Sequence, residues 1–106
     1  MCLKTKYSRY LPAGRQGSAV FYLMYYIYIL KSKIDHQFYT GLTNDLNRRI
    51  KEHNACQVQA TKNRVPLELV YYETVDTLQQ ARGREKWYKT GEGREFRNQL
   101  LNNIPR

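Results

Sequence analysis

The chain has 106 residues and a formal net charge of +9, with 18 Lys and Arg against 9 Asp and Glu. A chain of this length forms one domain, which excludes a two-domain enzyme with a cleft between lobes. Ten tyrosines and the excess of cations favour a polyanionic partner, nucleic acid first, although solubility alone also accounts for the charge.

Residues 1–23 differ in composition from the rest of the chain. They hold four basic residues and no acidic one, and no helix or strand period runs through them. We interpret them as a flexible basic arm or an over-long N-terminal extension, and we expect the functional domain to span residues 24–106. The apolar stretch 19–30 is shorter than the ~20 residues of a membrane span, so we expect neither export nor membrane insertion.

The two cysteines, Cys2 and Cys56, form no disulfide framework, which indicates a reducing, cytoplasmic setting. His53 and Cys56 have a ligand-like spacing, and Cys2 and His36 could nominally complete a zinc set. No second close-spaced pair supports such a set, so we do not expect a zinc site.

The residues that follow Tyr25 predict a β-hairpin and a helix. Aromatic and β-branched residues up to Lys31 are typical of a buried strand, and residues 38–42 are typical of its hairpin partner. A helix is expected from an N-cap within residues 43–45 to about Asn54. One face of this helix holds Leu46, Ile50 and His53.

A polar loop at residues 55–66 precedes a third predicted strand at residues 67–73. Asp76 or Thr77 is expected to cap a second helix, one face of which holds Leu78, Ala81, Glu85 and Tyr88. We expect residues 89–93 to break that helix, and a last helix to run from Arg94 to about Asn102. The order β-β-α-β-α-α indicates an α+β fold.

Glu85 occupies a position where the helical period calls for an apolar residue. A carboxylate that faces the protein body costs free energy unless a cation or hydrogen-bond donors satisfy it. Glu85 therefore either forms an ion pair with a nearby arginine, Arg82 or Arg84, or binds a divalent cation.

Two tyrosines of the hairpin and two arginines of the first helix are further candidates. Tyr28 and Tyr39 would ordinarily pack in the core with a bonded hydroxyl, whereas a functional tyrosine needs cations that lower its pKa from ~10. Arg49 follows Leu46 by three residues and should border the buried face, while Arg48 should point to solvent.

Several ordered motifs together match one family. Tyr26-Ile27-Tyr28, ten residues, and then Tyr39-Thr40-Gly41 resemble the paired tripeptides of the GIY-YIG nuclease superfamily, although the first lacks the leading glycine. Residues 44–54 resemble the first helix of that family with its arginine and histidine. Residues 60–73 are similar to the loop and third strand of its small stand-alone members, which are often described as homologous to the nuclease domain of the excision-repair UvrC subunit. Residues 81–86 resemble the helix that bears its metal-binding glutamate, so the resemblance covers residues 25 to about 97.

The resemblance implies a small three-stranded antiparallel sheet flanked by helices, and a metal-dependent DNA endonuclease with a role in DNA repair or recombination. Tyr28 would act as, or assist, the general base, and Tyr39 would orient water or phosphate. Arg49, with Arg48 as the alternative, would bind the phosphate, and His53 would support the site. Glu85 would hold a single Mg²⁺ or Mn²⁺.

The resemblance also implies secondary roles. Gly41 would keep the end of the hairpin free of a side chain near the substrate. From their positive charge we expect Lys62, Arg64 and Arg48 to contact DNA. The family's late asparagine is Asn98 or Asn102, between which spacing does not choose. We expect a monomer, and the alternative function is a non-catalytic nucleic-acid-binding module that keeps the fold.

Overall fold

The computed structural model describes residues 24–102. Three strands, β1 (Tyr25–Ser32), β2 (Phe38–Thr43) and β3 (Leu67–Val75), form one antiparallel sheet in the order β2-β1-β3. This confirms the predicted sheet and the β-β-α-β-α-α order. The expectations for residues 1–23, including those for Cys2, lie outside the described residues.

Three helices flank the sheet, α1 (Leu46–Asn54), α2 (Leu78–Tyr88) and α3 (Gly91–Asn102). The side chain of Asp45 caps α1, and that of Thr77 caps α2 in a reciprocal capping box with Gln80. Within residues 24–102, none of the helices has the length and apolar character to span a membrane.

Two predicted boundaries were wrong. β3 continues past residue 73 to Val75, because Val75 still pairs with Tyr25 of β1. The last helix begins at Gly91 and not at Arg94, because the Thr90 hydroxyl accepts the backbone N–H of Gly93 at 3.2 Å and so starts the helix earlier.

Both faces of the sheet are covered, and the alternation of β1 divides its side chains between them. On one face, Ile27 and Ile29 pack with residues of α2 and α3: Ala81, Tyr88 and Leu101. On the other face, Tyr26, Tyr28 and Leu30 pack with Leu46 of α1 and with Leu67 and Leu69 of β3. This division places the Tyr28 hydroxyl on the α1 side, where the polar residues of α1 reach it.

Candidate functional site

Three buried polar side chains form a continuous hydrogen-bonded row between β1, α1 and the following loop. The Tyr28 hydroxyl lies 2.9 Å from Nε2 of His53, and Nδ1 of His53 lies 2.8 Å from Oγ1 of Thr61. Tyr28 is 1% exposed, and His53 and Thr61 are fully buried. The helical face that holds Leu46 and His53 explains why the imidazole points inward, and each of its ring nitrogens has a partner.

The imidazole of His53 is neutral at physiological pH. Burial, together with the positive charge of Arg49, lowers the pKa of His53 from 6.5 to about 4, and the carboxylate of Glu52 opposes this shift only weakly. A neutral imidazole carries one N–H donor and one acceptor nitrogen. His53 therefore suits a supporting role in which it donates on one side and accepts on the other.

The pKa of Tyr28 is raised, not lowered. Burial raises it to about 12, and the hydrogen bond and charge of Arg49 offset this only in part. Removal of the ring from water outweighs the one partly exposed guanidinium, so the lowered pKa that we set as a condition for a functional tyrosine is not met in the free protein. Tyr28 is a protonated phenol at neutral pH.

The two arginines of α1 differ as their spacing predicts. The side chain of Arg49 is 34% exposed, donates to Oε1 of Glu52 at 3.0 Å and lies close enough to the Tyr28 hydroxyl to act on its pKa. The side chain of Arg48 is 56% exposed and lies 3.8 Å from a carboxylate oxygen of Asp45. The geometry brings Arg49, and not Arg48, to the buried row.

Gly41 pairs with Tyr28 across the hairpin, and its missing side chain makes room for the Tyr28 ring. A Cβ at residue 41 would lie 2.5 Å from the Tyr28 hydroxyl oxygen and 3.0 Å from Cε2 of Tyr39. The close approach of Tyr28 requires a residue without a side chain at this position, and the expectation that Gly41 also lies near the substrate stays a prediction. Tyr39, half-buried, packs edge-on against His53 with ring centroids 5.1 Å apart.

Glu85 lies on α2 and is partly exposed. Its charge is one of the causes that raise the pKa of Tyr28, so the carboxylate lies within electrostatic range of the hydroxyl. Its side chain is 25% exposed and forms an ion pair at 3.4 Å with Lys89, four residues further along the chain. Such an exposed contact stabilises little, and Glu85 is thus available to a cation that approaches from solvent.

The arginine alternative for Glu85 was wrong. Arg84 binds Glu73 of β3 instead, with Nε and Nη2 donating at 2.8 and 3.1 Å, and the Tyr88 hydroxyl donates to the same carboxylate. Arg82 is exposed and forms no ion pair with Glu85. Although burial works to raise it, these hydrogen bonds hold the pKa of Glu73 below its usual range.

The two residues of the loop that we predicted to contact DNA have different surroundings in the structure. Lys62 is exposed, whereas Nε of Arg64 lies 2.9 Å from Oδ2 of Asp35 in the turn between β1 and β2. The backbone oxygen of Arg64 also accepts from the Ser32 hydroxyl at 2.6 Å. Arg64 thus holds the loop against the hairpin, and Lys62 is the cation of this loop that is free to meet a phosphate.

Neither late asparagine lies in the buried row. Asn98 is exposed, and its Oδ1 accepts from Nε and Nη2 of Arg97 at 3.2 and 3.0 Å. Asn102 is exposed at the end of α3. Among the described residues, neither asparagine has a contact that would assign it to the site.

Thr61 is the member of the row that sequence reasoning missed. It lies in the loop between α1 and β3, where no helical or strand period marks which side chains turn inward. Its contact with His53 bridges eight residues of sequence and depends on how the loop folds back. The surrounding residues are polar, so composition did not distinguish it from its exposed neighbours.

Two partly exposed carboxylates lie near the row, Glu85 and Glu52, of which Glu52 is already bound by Arg49 at 3.0 Å. No group of three or more His, Cys, Asp or Glu within residues 24–102 could together hold a metal ion. One partly exposed carboxylate fits Mg²⁺ or Mn²⁺, which are bound through one or two carboxylates while waters and substrate phosphate complete the shell. Glu85 is our candidate for this ligand, because its side chain is partly exposed and its charge acts on the Tyr28 hydroxyl.

Comparisons with known proteins agree with this arrangement of motifs. A family model described as the GIY-YIG catalytic domain matches residues 24–98. A UPF0213 protein of Clostridium perfringens is 46% identical over 67 residues, which cover 62% of this chain and 71% of that protein. A UPF0213 protein of Haloquadratum walsbyi is 40% identical over 67 residues, 62% of this chain and 74% of that protein. The solution NMR structure of a UPF0213 protein from Bacillus halodurans has 32% sequence identity and a TM-score of 0.47, and covers 73% of this chain and 84% of that chain.

Proposed function

Since the chain belongs to the GIY-YIG family, we propose that it is an endonuclease that hydrolyses DNA phosphodiester bonds with one divalent cation. The observation that carries the proposal is the buried hydrogen-bonded row of Tyr28, His53 and Thr61, with the charges of Arg49 and Glu85 acting on the Tyr28 hydroxyl. Phosphodiester hydrolysis needs a proton-transfer group, a cation that stabilises charge on the phosphate and a carboxylate that can hold a metal, for which Tyr28, Arg49 and Glu85 are the candidates.

Arg49 supplies the phosphate contact. Its guanidinium is partly exposed, is held by Glu52 at 3.0 Å and acts on the Tyr28 hydroxyl. A planar guanidinium donates two parallel hydrogen bonds to phosphate oxygens and stabilises the charge that develops on them. Tyr39, half-buried beside His53, orients the attacking water or the phosphate.

Tyr28 accepts the proton of the attacking water. Because its pKa is raised to about 12, it begins as a phenol and must release its own proton as it receives another. Glu85 would hold the metal, which supplies a Lewis acid that polarises a phosphoryl oxygen. Lys62 and the exposed Arg48 contribute phosphate contacts outside the reacting bond.

One observation favours a second candidate, a nucleic-acid-binding module without catalysis. Tyr28 is 1% exposed and is a protonated phenol, so its hydroxyl has little access to water in the free protein. Binding of DNA with strong salt dependence and without cleavage would favour this candidate.

Cleavage of a DNA panel separates the two functions. The full chain is incubated with supercoiled, branched and single-stranded DNA, with Mg²⁺ or Mn²⁺ and with EDTA as control. Nicking that requires the metal supports the nuclease, and a preference for branched DNA supports a role in repair or recombination. Binding without nicking on every substrate supports the second candidate and contradicts the first.

A further inference from the structure

The row of Tyr28, His53 and Thr61 admits two arrangements of its protons. In the first, the Tyr28 hydroxyl donates to Nε2 of His53, and Nδ1–H donates to Thr61 Oγ1, across distances of 2.9 and 2.8 Å. In the second, Thr61 donates to Nδ1, and Nε2–H donates to the Tyr28 oxygen. Each arrangement uses one tautomer of the neutral ring.

The chemistry of the two hydroxyl groups decides between them. A phenol is a stronger hydrogen-bond donor than an aliphatic alcohol and a weaker acceptor, because its oxygen lone pair is delocalised into the ring. The first arrangement uses Tyr28 as donor and Thr61 as acceptor, whereas the second reverses both roles.

Arg49 points the same way. The positive charge of Arg49 acts to lower the pKa of the Tyr28 phenol, which makes its O–H a stronger donor and its oxygen a weaker acceptor toward His53. Nε2 of His53 is then the acceptor for the Tyr28 proton among the described contacts of this buried group. Both considerations select the tautomer with the proton on Nδ1.

We propose that Thr61 is a positioning residue, which accepts Nδ1–H of His53 and thereby keeps Nε2 free to receive the Tyr28 proton. The inference deepens the proposed function and rests on it for its catalytic meaning. When the O–H bond of the attacking water breaks, its proton bonds to the Tyr28 oxygen while the phenolic proton moves to Nε2. The products of this step are hydroxide and a His53 imidazolium, and the imidazolium keeps its Nδ1–H bond to Thr61.

The imidazole tautomer can be measured without DNA. Imidazole ¹⁵N chemical shifts of the labelled full chain distinguish a protonated ring nitrogen from an unprotonated one. His36→Asn removes the signals of the other histidine, and Asn tolerates the positive φ of 61° at that position. We expect protonated Nδ1 and unprotonated Nε2 at neutral pH.

Two substitutions test the contribution of Thr61. Thr61→Val keeps the shape and removes the acceptor, and a buried N–H without a partner is costlier than a bare acceptor nitrogen, so the ring should shift toward the Nε2–H tautomer. Thr61→Ser restores the hydroxyl and should restore the wild-type shifts. In nicking assays we expect kcat to fall roughly 10- to 100-fold in Thr61→Val, with KM unchanged and recovery in Thr61→Ser.

The tautomer measurement and the nicking assay can fail independently, so the role of Thr61 and the nuclease activity are tested separately. Protonated Nε2 in the wild-type chain overturns the role of Thr61, whether or not DNA is cleaved. If Thr61→Val does not fold, the wild-type and Thr61→Ser tautomers still decide. Unchanged Nδ1–H in a folded Thr61→Val protein also overturns the proposal. If the chain shows the expected tautomer but cleaves no DNA, the nuclease proposal is contradicted and the hydrogen-bond assignment is retained.

Discussion

Gly41 and Tyr28 face each other across the hairpin so closely that a Cβ at residue 41 would lie 2.5 Å from the Tyr28 hydroxyl oxygen. The glycine of the second tripeptide is thus explained by the tyrosine of the first. The hydroxyl can reach His53 only because this strand position carries no side chain.

We predict that Gly41→Ala destabilises the fold and displaces Tyr28. The new methyl group must move a fully packed ring, which costs about 1–3 kcal/mol. Urea denaturation measures the change in the free energy of unfolding, and nicking assays measure the loss at the site. Gly83→Ala is the matched control, because nothing lies within 4 Å of its Cβ position in α2 and helix propensity favours alanine by about 1 kcal/mol. Equal stability of Gly41→Ala and the wild type would contradict the packing role.

The buried neutral His53 makes the stability of the protein depend on pH. Between pH 6.5 and about 4 the unfolded chain binds a proton that the folded ring does not, so stability falls as the pH falls through this window. The loss amounts to about 3 kcal/mol at most, as the two pKa values set it. His53→Gln, which lacks the titrating group, should show a correspondingly flatter dependence in denaturation measured from pH 7 to pH 4.

His36→Asn is the control for that measurement, because His36 is exposed and outside the row. It should keep the wild-type pH dependence. A wild-type protein whose stability changes across this window no more than that of His53→Gln would show that the imidazole titrates normally in the folded state.

Arg49 and Arg48 are neighbours on α1 with different expected effects on nicking. Arg49→Gln removes the guanidinium next to Tyr28 and should lower kcat roughly 100-fold or more. Arg48→Gln, at a side chain 56% exposed, should mainly weaken DNA binding and change kcat by less than about threefold. The kcat values of the two variants are compared from initial rates on supercoiled plasmid at saturating DNA. A larger loss of kcat in Arg48→Gln would indicate that Arg48, and not Arg49, contacts the reacting phosphate.

Local sequence pattern predicted the order of the elements and the inward face of α1. The spacing of Leu46 and His53 placed the imidazole inside, and the three-residue step from Leu46 placed Arg49 at the edge of the buried face. These predictions hold because helix and strand periods are local and because apolar residues dominate the burial.

Features that depend on distant contacts were not predicted. Thr61 meets His53 through the fold of a loop without period, and Arg84 finds Glu73 on a strand eleven residues earlier. The pKa of Tyr28 is raised because the fold buries its hydroxyl, and the sequence of β1 alone does not predict that burial. The metal-binding role of Glu85 is suggested by a carboxylate in an apolar period and by family resemblance, and stays a proposal.

The nicking of supercoiled DNA by the wild type, Glu85→Gln and Glu92→Gln tests the central claim most directly. Glu92 is an exposed carboxylate in the first turn of α3 and serves as the matched control. With Mg²⁺ or Mn²⁺ we predict nicking by the wild type and by Glu92→Gln, and a loss of about 100-fold or more in Glu85→Gln because the metal loses its protein ligand. Equal nicking by the wild type and Glu85→Gln, or nicking that persists in EDTA, would contradict a metal-dependent site built on Glu85.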